Sequence, residues 1–243
     1  MLSDVLTVIW KELHELLFAA GNRRGSWTSV AIMVGIAGLL FPLQTGREWF
    51  TSWFAVYTAC FPIMTVVNLV ADSFAGERER HTLETLLASR LPDRAIVLGK
   101  VLAAAGYGWG LVLLSQPVAV IALNVTDWQG HVSFFRPEIF AAVVTFGLLL
   151  SLLFAAMGVL VSMTAATVRQ AGQRMLIPFL AIYALPGLLP LVLPRLPADW
   201  LAPVEMPDAV QIVQVLALVL VLADGALCGA ALIRFRRAAL ALE

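Results

Sequence analysis

Charge is what this chain has least of. Sixteen basic and sixteen acidic side chains are spread over 243 residues, 13% of the total, where a soluble globular domain carries about a quarter. They cancel to a formal net charge of zero, so there is no basic excess of the kind a nucleic-acid binder shows. Histidine occurs three times, at His14, His81 and His131, in three separate segments that offer neither a metal-ligand cluster nor a catalytic triad. The two cysteines, Cys60 and Cys228, lie in apolar stretches, where cysteine behaves as a small hydrophobe. Their spacing suggests no metal site and says nothing of an oxidising compartment. A phosphate-cradling loop is also missing: Gly99-Lys100 has Arg94 where the first glycine of that motif would stand. By that route the chain hydrolyses no ATP. No short apolar core follows a basic start, so the first residues are read as part of the mature protein rather than a cleaved signal.

What is abundant is apolar surface, at 60% hydrophobic residues and a mean hydropathy of +0.89. Six stretches approach the ~20 apolar residues that a bilayer core requires, near 27–44, 52–71, 96–123, 139–163, 175–193 and 210–233. They predict an all-α membrane protein forming one transmembrane domain over residues 1–243. Trp27, Trp49 and Trp53 read as interface anchors, as do Trp128, Phe134 and Phe135 in the longer outer loop 126–138. Gln116-Pro117 predicts a kink in the third span, and Pro178, Pro186 and Pro190 predict a bent or broken fifth. Before the first span, Leu2, Val5, Leu6, Ile9, Leu13, Leu16 and Leu17 recur at helical spacing with charged residues between them. Residues 2–17 are thus expected to form an amphipathic helix, with Ser3 as N-cap. It either lies along the membrane with Trp10 near the headgroups or packs on a partner. Residues 21–25 are expected to break that helix.

Of the sixteen basic residues, thirteen fall in segments on the N-terminal side of the membrane, and only Arg47, Arg136 and Arg195 fall on the other. The positive-inside rule therefore puts both termini in the cytoplasm. It also puts there the one long charged island, between spans two and three. Glu77, Arg78, Glu79, Arg80, Glu84, Arg90, Asp93 and Arg94 stand in it, while Leu83, Leu86, Leu87 and Leu91 repeat at helical spacing. The pattern predicts a helix over 74–91 with an apolar ridge to bury and charges to fix register, capped by Asp72 and stopped by Pro92. Glu77 and Glu79 stand beside Arg78 and Arg80, so a solvated, self-paired face is the plainer reading of those four. Within the spans Asp224 is the one acid well inside a helix. It is expected to face protein or water, either in a proton path or against a donor such as Asn68. Gly225-x-x-x-Gly229 follows it and permits close helix approach.

The run Phe74-Ala75-Gly76-Glu77-Arg78-Glu79-Arg80, then Thr82-Leu83-Glu84, Leu86-Leu87-Ala88, Pro92, Arg94 and Leu98-Gly99-Lys100, resembles the signature between spans two and three of ABC-2-type transporter permeases. The interfacial N-terminal helix, the six spans and the cytoplasmic termini are similar to that family along the whole chain. His81 departs from it, standing where a glycine or another small residue is expected. The resemblance implies a coupling helix that docks on a separate ATP-binding subunit, with Glu77, Glu79, Arg80, Thr82, Leu83, Glu84, Leu86 and Leu87 as the docking set. It implies two such ATPases, which would carry the ATP and magnesium, and a second permease copy or similar subunit. This chain itself would hold no cofactor, no metal and no catalytic residue. Spans two and five would line the pathway, by resemblance with Tyr57, Phe61, Met64, Asn68, Phe179 and Tyr183, although each is read equally well as packing. The apolar, aromatic character of that set suits export of a lipid-like or amphipathic substrate. Arginine far outnumbers lysine, which points to a GC-rich bacterial source and so to a bacterial inner membrane. Two alternatives stand beside this reading: a haem-exporter-like B subunit of cytochrome maturation, and an ion-coupled secondary transporter using Asp224. An intramembrane enzyme would need polar sets that the spans do not supply.

Overall fold

A computed structural model describes residues 1–18, 23–83, 88, 90–192, 195 and 209–235. Among them there is no strand. Five helical stretches are long and apolar enough to cross a membrane: Trp27–Phe50, Trp53–Glu79, Asp93–Thr126, Pro137–Thr164 and Val210–Arg234. These correspond to five of the six expected spans. The expected span 175–193 falls in helix from Val168 to Val192.

Helix α1 (Leu2–Phe18) lies against the start of the long third-span helix. Val5 and Val8 are buried there, and Gly99 makes the seat, since a Cβ at that position would stand 2.5 Å from Val8 Cβ. Leu2, Leu6 and Trp10, at i, i+4 and i+8, remain exposed on the other side. Ser3 is not the N-cap, because the helix already begins at Leu2 and Asp4 pairs with the Met1 amine at 2.9 Å. The expected break at 21–25 falls partly outside the described residues, and Arg23, Arg24 and Gly25 already belong to α2 (Arg23–Gly35).

The first span changes winding on its way. After α2 comes a π turn, Ile36–Leu40, then α3 (Phe41–Thr45) and a 3-10 turn, Gly46–Phe50. Pro42 has no N–H for the carbonyl four residues back, which is that of Gly38. Gly38 sits in the π turn against the third span, where a Cβ would come within 2.8 Å of the Ser115 carbonyl. Gly46, at φ 68°, supplies the left-handed residue that lets the chain reverse.

The second span is interrupted too. α4 (Trp53–Ala59), capped by Ser52, gives way at Pro62 to a tight turn, Phe61–Ile63, and α5 (Met64–Glu79) continues. The Cys60 carbonyl at this break accepts the Ile63 N–H and the Tyr183 hydroxyl, the latter at 2.6 Å. By contrast α6 (Asp93–Thr126) runs unbroken across Pro117, so the expected kink does not interrupt it. At 34 residues and 1.5 Å per residue it is about 50 Å long, more than a bilayer core. α7 (Pro137–Thr164), α8 (Val168–Val192) and α9 (Ala209–Arg234) complete the chain. α8 likewise continues through Pro178, Pro186 and Pro190 and is not broken.

Small residues bring the central helices together. Gly158 faces Val70, Gly108 faces Val66 and Ser151, and Gly147 faces Val112, each with no room for a Cβ without displacement. Trp49, Phe74, Phe154, Ile63, Ile96 and Met175 are fully buried between them. Trp49 and Phe135 are therefore core residues, not interface anchors. Phe135 packs edge-on against Phe50, ring centroids 5.1 Å apart. Trp27, Trp128 and Phe134 stay exposed as expected for anchors. At the same end of the helices as Phe135, Arg47 bonds Asp127 at 2.6 Å and Ser133 at 2.7 Å, and Asn124 pairs with both backbone groups of Ser133. This clasp holds the turn after the first span to the loop after the third.

Candidate functional site

The charged island begins at the C-terminal end of α5, where Glu77 turns inward while Glu79 and Arg80 stay at the surface. The helix expected over 74–91 is not continuous. Phe74 to Glu79 form the last turns of α5, and the chain then stops. His81 takes φ 57°, its N–H donates to the Arg78 carbonyl and the Thr82 N–H to the Glu77 carbonyl. That pairing, the N–H of the sixth residue to the carbonyl of the first and the N–H of the fifth to the carbonyl of the second around a left-handed residue, is the Schellman helix stop, which prefers glycine at the left-handed position. The departure at His81 is thus explained in part: the site wants a residue at positive φ, and histidine adopts it at a cost. Thr82 is exposed and Leu83 is buried. Glu84, Leu86 and Leu87 lie outside the described residues.

Each of the four charges before the stop has its own partner. Glu77 Oε1 meets Lys100 Nζ at 3.1 Å, and the same ammonium meets Glu12 Oε1 at 2.9 Å and the Ser73 carbonyl at 3.1 Å. Lys100 also lies over the Phe74 ring, 5.1 Å from its centroid. Its side chain is only 2% exposed and that of Glu77 10%, so α1, α5 and α6 share one buried ionic centre. Arg78 donates to the Met163 carbonyl at 3.1 Å and to that of Ala165, at the end of α7. Glu79 Oε1 accepts the Val168 N–H at 2.9 Å, at the start of α8. Arg80 reaches back over Gly76 to both oxygens of Asp72, at 2.8 and 3.2 Å. A Cβ on Gly76 would collide with the Asp72 carboxylate and stand 2.8 Å from Arg80 Nη2. Asp72 is accordingly not the cap of a new helix; it lies inside α5 and pairs with Arg80, the residue just past the helix end and eight positions later. Its hydrogen bond holds the Arg80 pKa above its already high ordinary value, though an exposed pair of this kind is worth only about 0–1 kcal/mol.

These contacts place the sequence-predicted residues in two groups. Glu77 is buried against its own chain and Glu79 bonds α8, which with Arg78 makes a clamp across five helices, while Arg80, its side chain 57% exposed, stays solvated and paired within its own segment. Of the residues expected to line a pathway, Tyr57 donates its hydroxyl to the Tyr183 carbonyl, and Tyr183 stacks on Phe179 at 4.7 Å. Phe179 and Tyr183 are buried in the contact between α4, α5 and α8, while Phe61 and Met64 are half-buried and Asn68 is exposed. Asp224 is buried and, among the described residues, neither carboxylate oxygen has a hydrogen-bond partner. The expected contact with Asn68 is not made. Gly225 and Gly229 have nothing within 4 Å of a Cβ position. In the sequence Lys100 reads as a positive charge and as part of the Leu98-Gly99-Lys100 run, and Glu12 as one of the charged residues between the apolar positions of the first helix, and nothing there joins either to Glu77. Their link to Glu77 had a signal, because a lysine at the edge of a span needs a carboxylate nearby.

Five long apolar helical stretches, three of them joined with α1 and α8 by a charged clamp at one end, define a multi-pass membrane protein. The chain belongs to the ABC-2 family of transporter proteins, whose family model matches residues 8–234. A search of curated proteins finds no match to it. Members of that family are membrane components of transport and carry no ATPase of their own.

Proposed function

We propose that the chain is the permease subunit of an ABC transporter, driven by ATP-binding subunits that dock on the cytoplasmic connection between α5 and α6. The observation that carries this reading is the clamp at Glu77–Arg80. It ties α1, α6, α7 and α8 to the end of α5 immediately before that connection, so a push delivered there reaches the whole cytoplasmic side. The docking surface then begins after the clamp, with Thr82 and the ridge of Glu84, Leu86 and Leu87, while Leu83 packs into the core of its own chain. α8 supplies the sixth span, both termini are cytoplasmic, and the membrane is a bacterial inner membrane. α1 rests on the lipid surface through Leu2, Leu6 and Trp10. Two copies, or this chain and a similar subunit, enclose the pathway for an exported lipid-like or amphipathic substrate, with Phe61, Met64 and Asn68 as the accessible lining of span two. Two ATP-binding subunits hold the ATP and magnesium.

The test is co-expression with an ATP-binding cassette subunit, followed by ATPase assay in proteoliposomes. Replacing Leu86 and Leu87 by Asp is expected to abolish co-purification and permease-dependent stimulation while leaving membrane insertion intact. Undiminished complex and turnover in that variant would refute the docking surface.

A further inference from the structure

Arg78 and Glu79, side by side at the end of α5, reach the two ends of the α7–α8 connection with matched charges. Arg78 donates to the carbonyls of Met163 and Ala165, where the dipole of α7 is negative. Glu79 accepts from Val168, the first residue of α8, where the dipole is positive. Two further donors of that turn are served locally: Thr167 Oγ1 accepts the Gln170 N–H at 3.1 Å, and Gln170 Oε1 accepts the Ala166 N–H at 2.8 Å. The Val168 N–H depends instead on a residue 89 positions earlier. Directly beyond Glu79 comes the left-handed turn at His81, where the α5–α6 connection begins.

We infer that Glu79 is a positioning residue through which the α5–α6 connection sets the start of α8, so that the two cytoplasmic connections move as one body. The turn at His81 is held by bonds to the carbonyls of Glu77 and Arg78. A displacement that opens it unwinds the last turn of α5, swings Glu79 away and leaves the positive end of α8 without its acceptor. Arg78 holds α7 by a separate pair of bonds, so the loss falls on α8. The transport meaning of this link rests on the permease reading above; the link itself is a property of the isolated chain.

The experiment follows hydrogen–deuterium exchange over residues 164–171 in the full chain in lipid nanodiscs. Glu79→Ala is expected to speed exchange of the Val168 amide about tenfold, the loss of one charge-assisted acceptor. Glu79→Gln, which keeps an acceptor oxygen, is expected to stay within about threefold of the unchanged chain. The connection is disturbed separately by Thr82→Pro, which removes the Thr82 N–H and disfavours the conformation of His81 before it. If that variant does not fold, His81→Val serves, because a β-branched residue resists positive φ. With Glu79 present either change is expected to raise exchange over 164–171; with Glu79→Ala it adds nothing. A Val168 amide unmoved by Glu79→Ala, or equal effects of Thr82→Pro with and without Glu79, would overturn the inference. ATPase turnover of the co-expressed ATP-binding subunit is read in parallel. Turnover indifferent to Thr82→Pro counts against the permease reading and leaves the exchange result standing.

Discussion

Lys100 is one buried cation between two carboxylates, and its removal leaves both acids uncompensated. Lys100→Met is expected to cost about 3–5 kcal/mol, the usual loss on breaking a buried ionic contact. Adding Glu77→Gln should recover part of it, a pattern that thermal unfolding in detergent would detect. His81→Gly, at φ 57°, is expected to gain about 1 kcal/mol by the same measurement, since only glycine takes that conformation without strain. Asp224→Leu is expected to stabilise by about 1–3 kcal/mol by removing a buried acid that lacks a donor; a loss instead would mean that the carboxyl meets a partner in the assembled transporter. At this scale the sequence showed which residues carry charge but not where the charges point. Glu77, Arg78, Glu79 and Arg80 lie about 100° apart on a helical wheel, which gives their relative directions, and only the positions of α1, α6, α7 and α8 show what each one meets.

Helices were legible as elements wherever an apolar run was long, and less so at their joints. The run over 139–163 became α7 with little change, because apolar length alone specifies it. The supposed single helix over 74–91 did not survive, because the leucine spacing carries across a backbone turn that leaves no hydropathy signal. The prolines misled in the other direction. Pro117, Pro178, Pro186 and Pro190 sit inside continuous helices, whereas Pro62 divides α4 from α5. Trp49 and Phe135 were misassigned for a related reason: an aromatic near a span end can anchor to headgroups or fill the gap between two outer turns, and composition does not choose. Packing between elements offers a paired test. Gly158→Ala puts a methyl into Val70 and is expected to destabilise by about 1–3 kcal/mol. Gly225→Ala meets open space, so unfolding of the single chain should be unchanged or slightly improved.

For the whole molecule, the balance of arginines predicts sidedness. In a chain with Cys60 and Cys228 changed to Ala, a single cysteine at Ala88 and one at Trp128 are expected to react with a membrane-impermeant thiol reagent from opposite faces. In inside-out vesicles only the first should label. Labelling of both from one side would remove the topology on which the docking reading stands. The fold class was readable because hydropathy sums over many residues. The clamp was not, because its bonds join positions up to 89 residues apart.

The break at Pro62 also bears on the order of assembly. The Cys60 carbonyl takes its second donor from Tyr183, 123 residues later in the chain. At about 5–20 residues per second of synthesis, that donor emerges roughly 6–25 s after Cys60. Until then the break has to draw on water or on the insertion machinery. The second span is thus committed to the bilayer before it can be completed, and arrival of the fifth closes it. A nascent chain truncated before Tyr183 should be retained by the inserting apparatus and degraded, while one extended past it should be released.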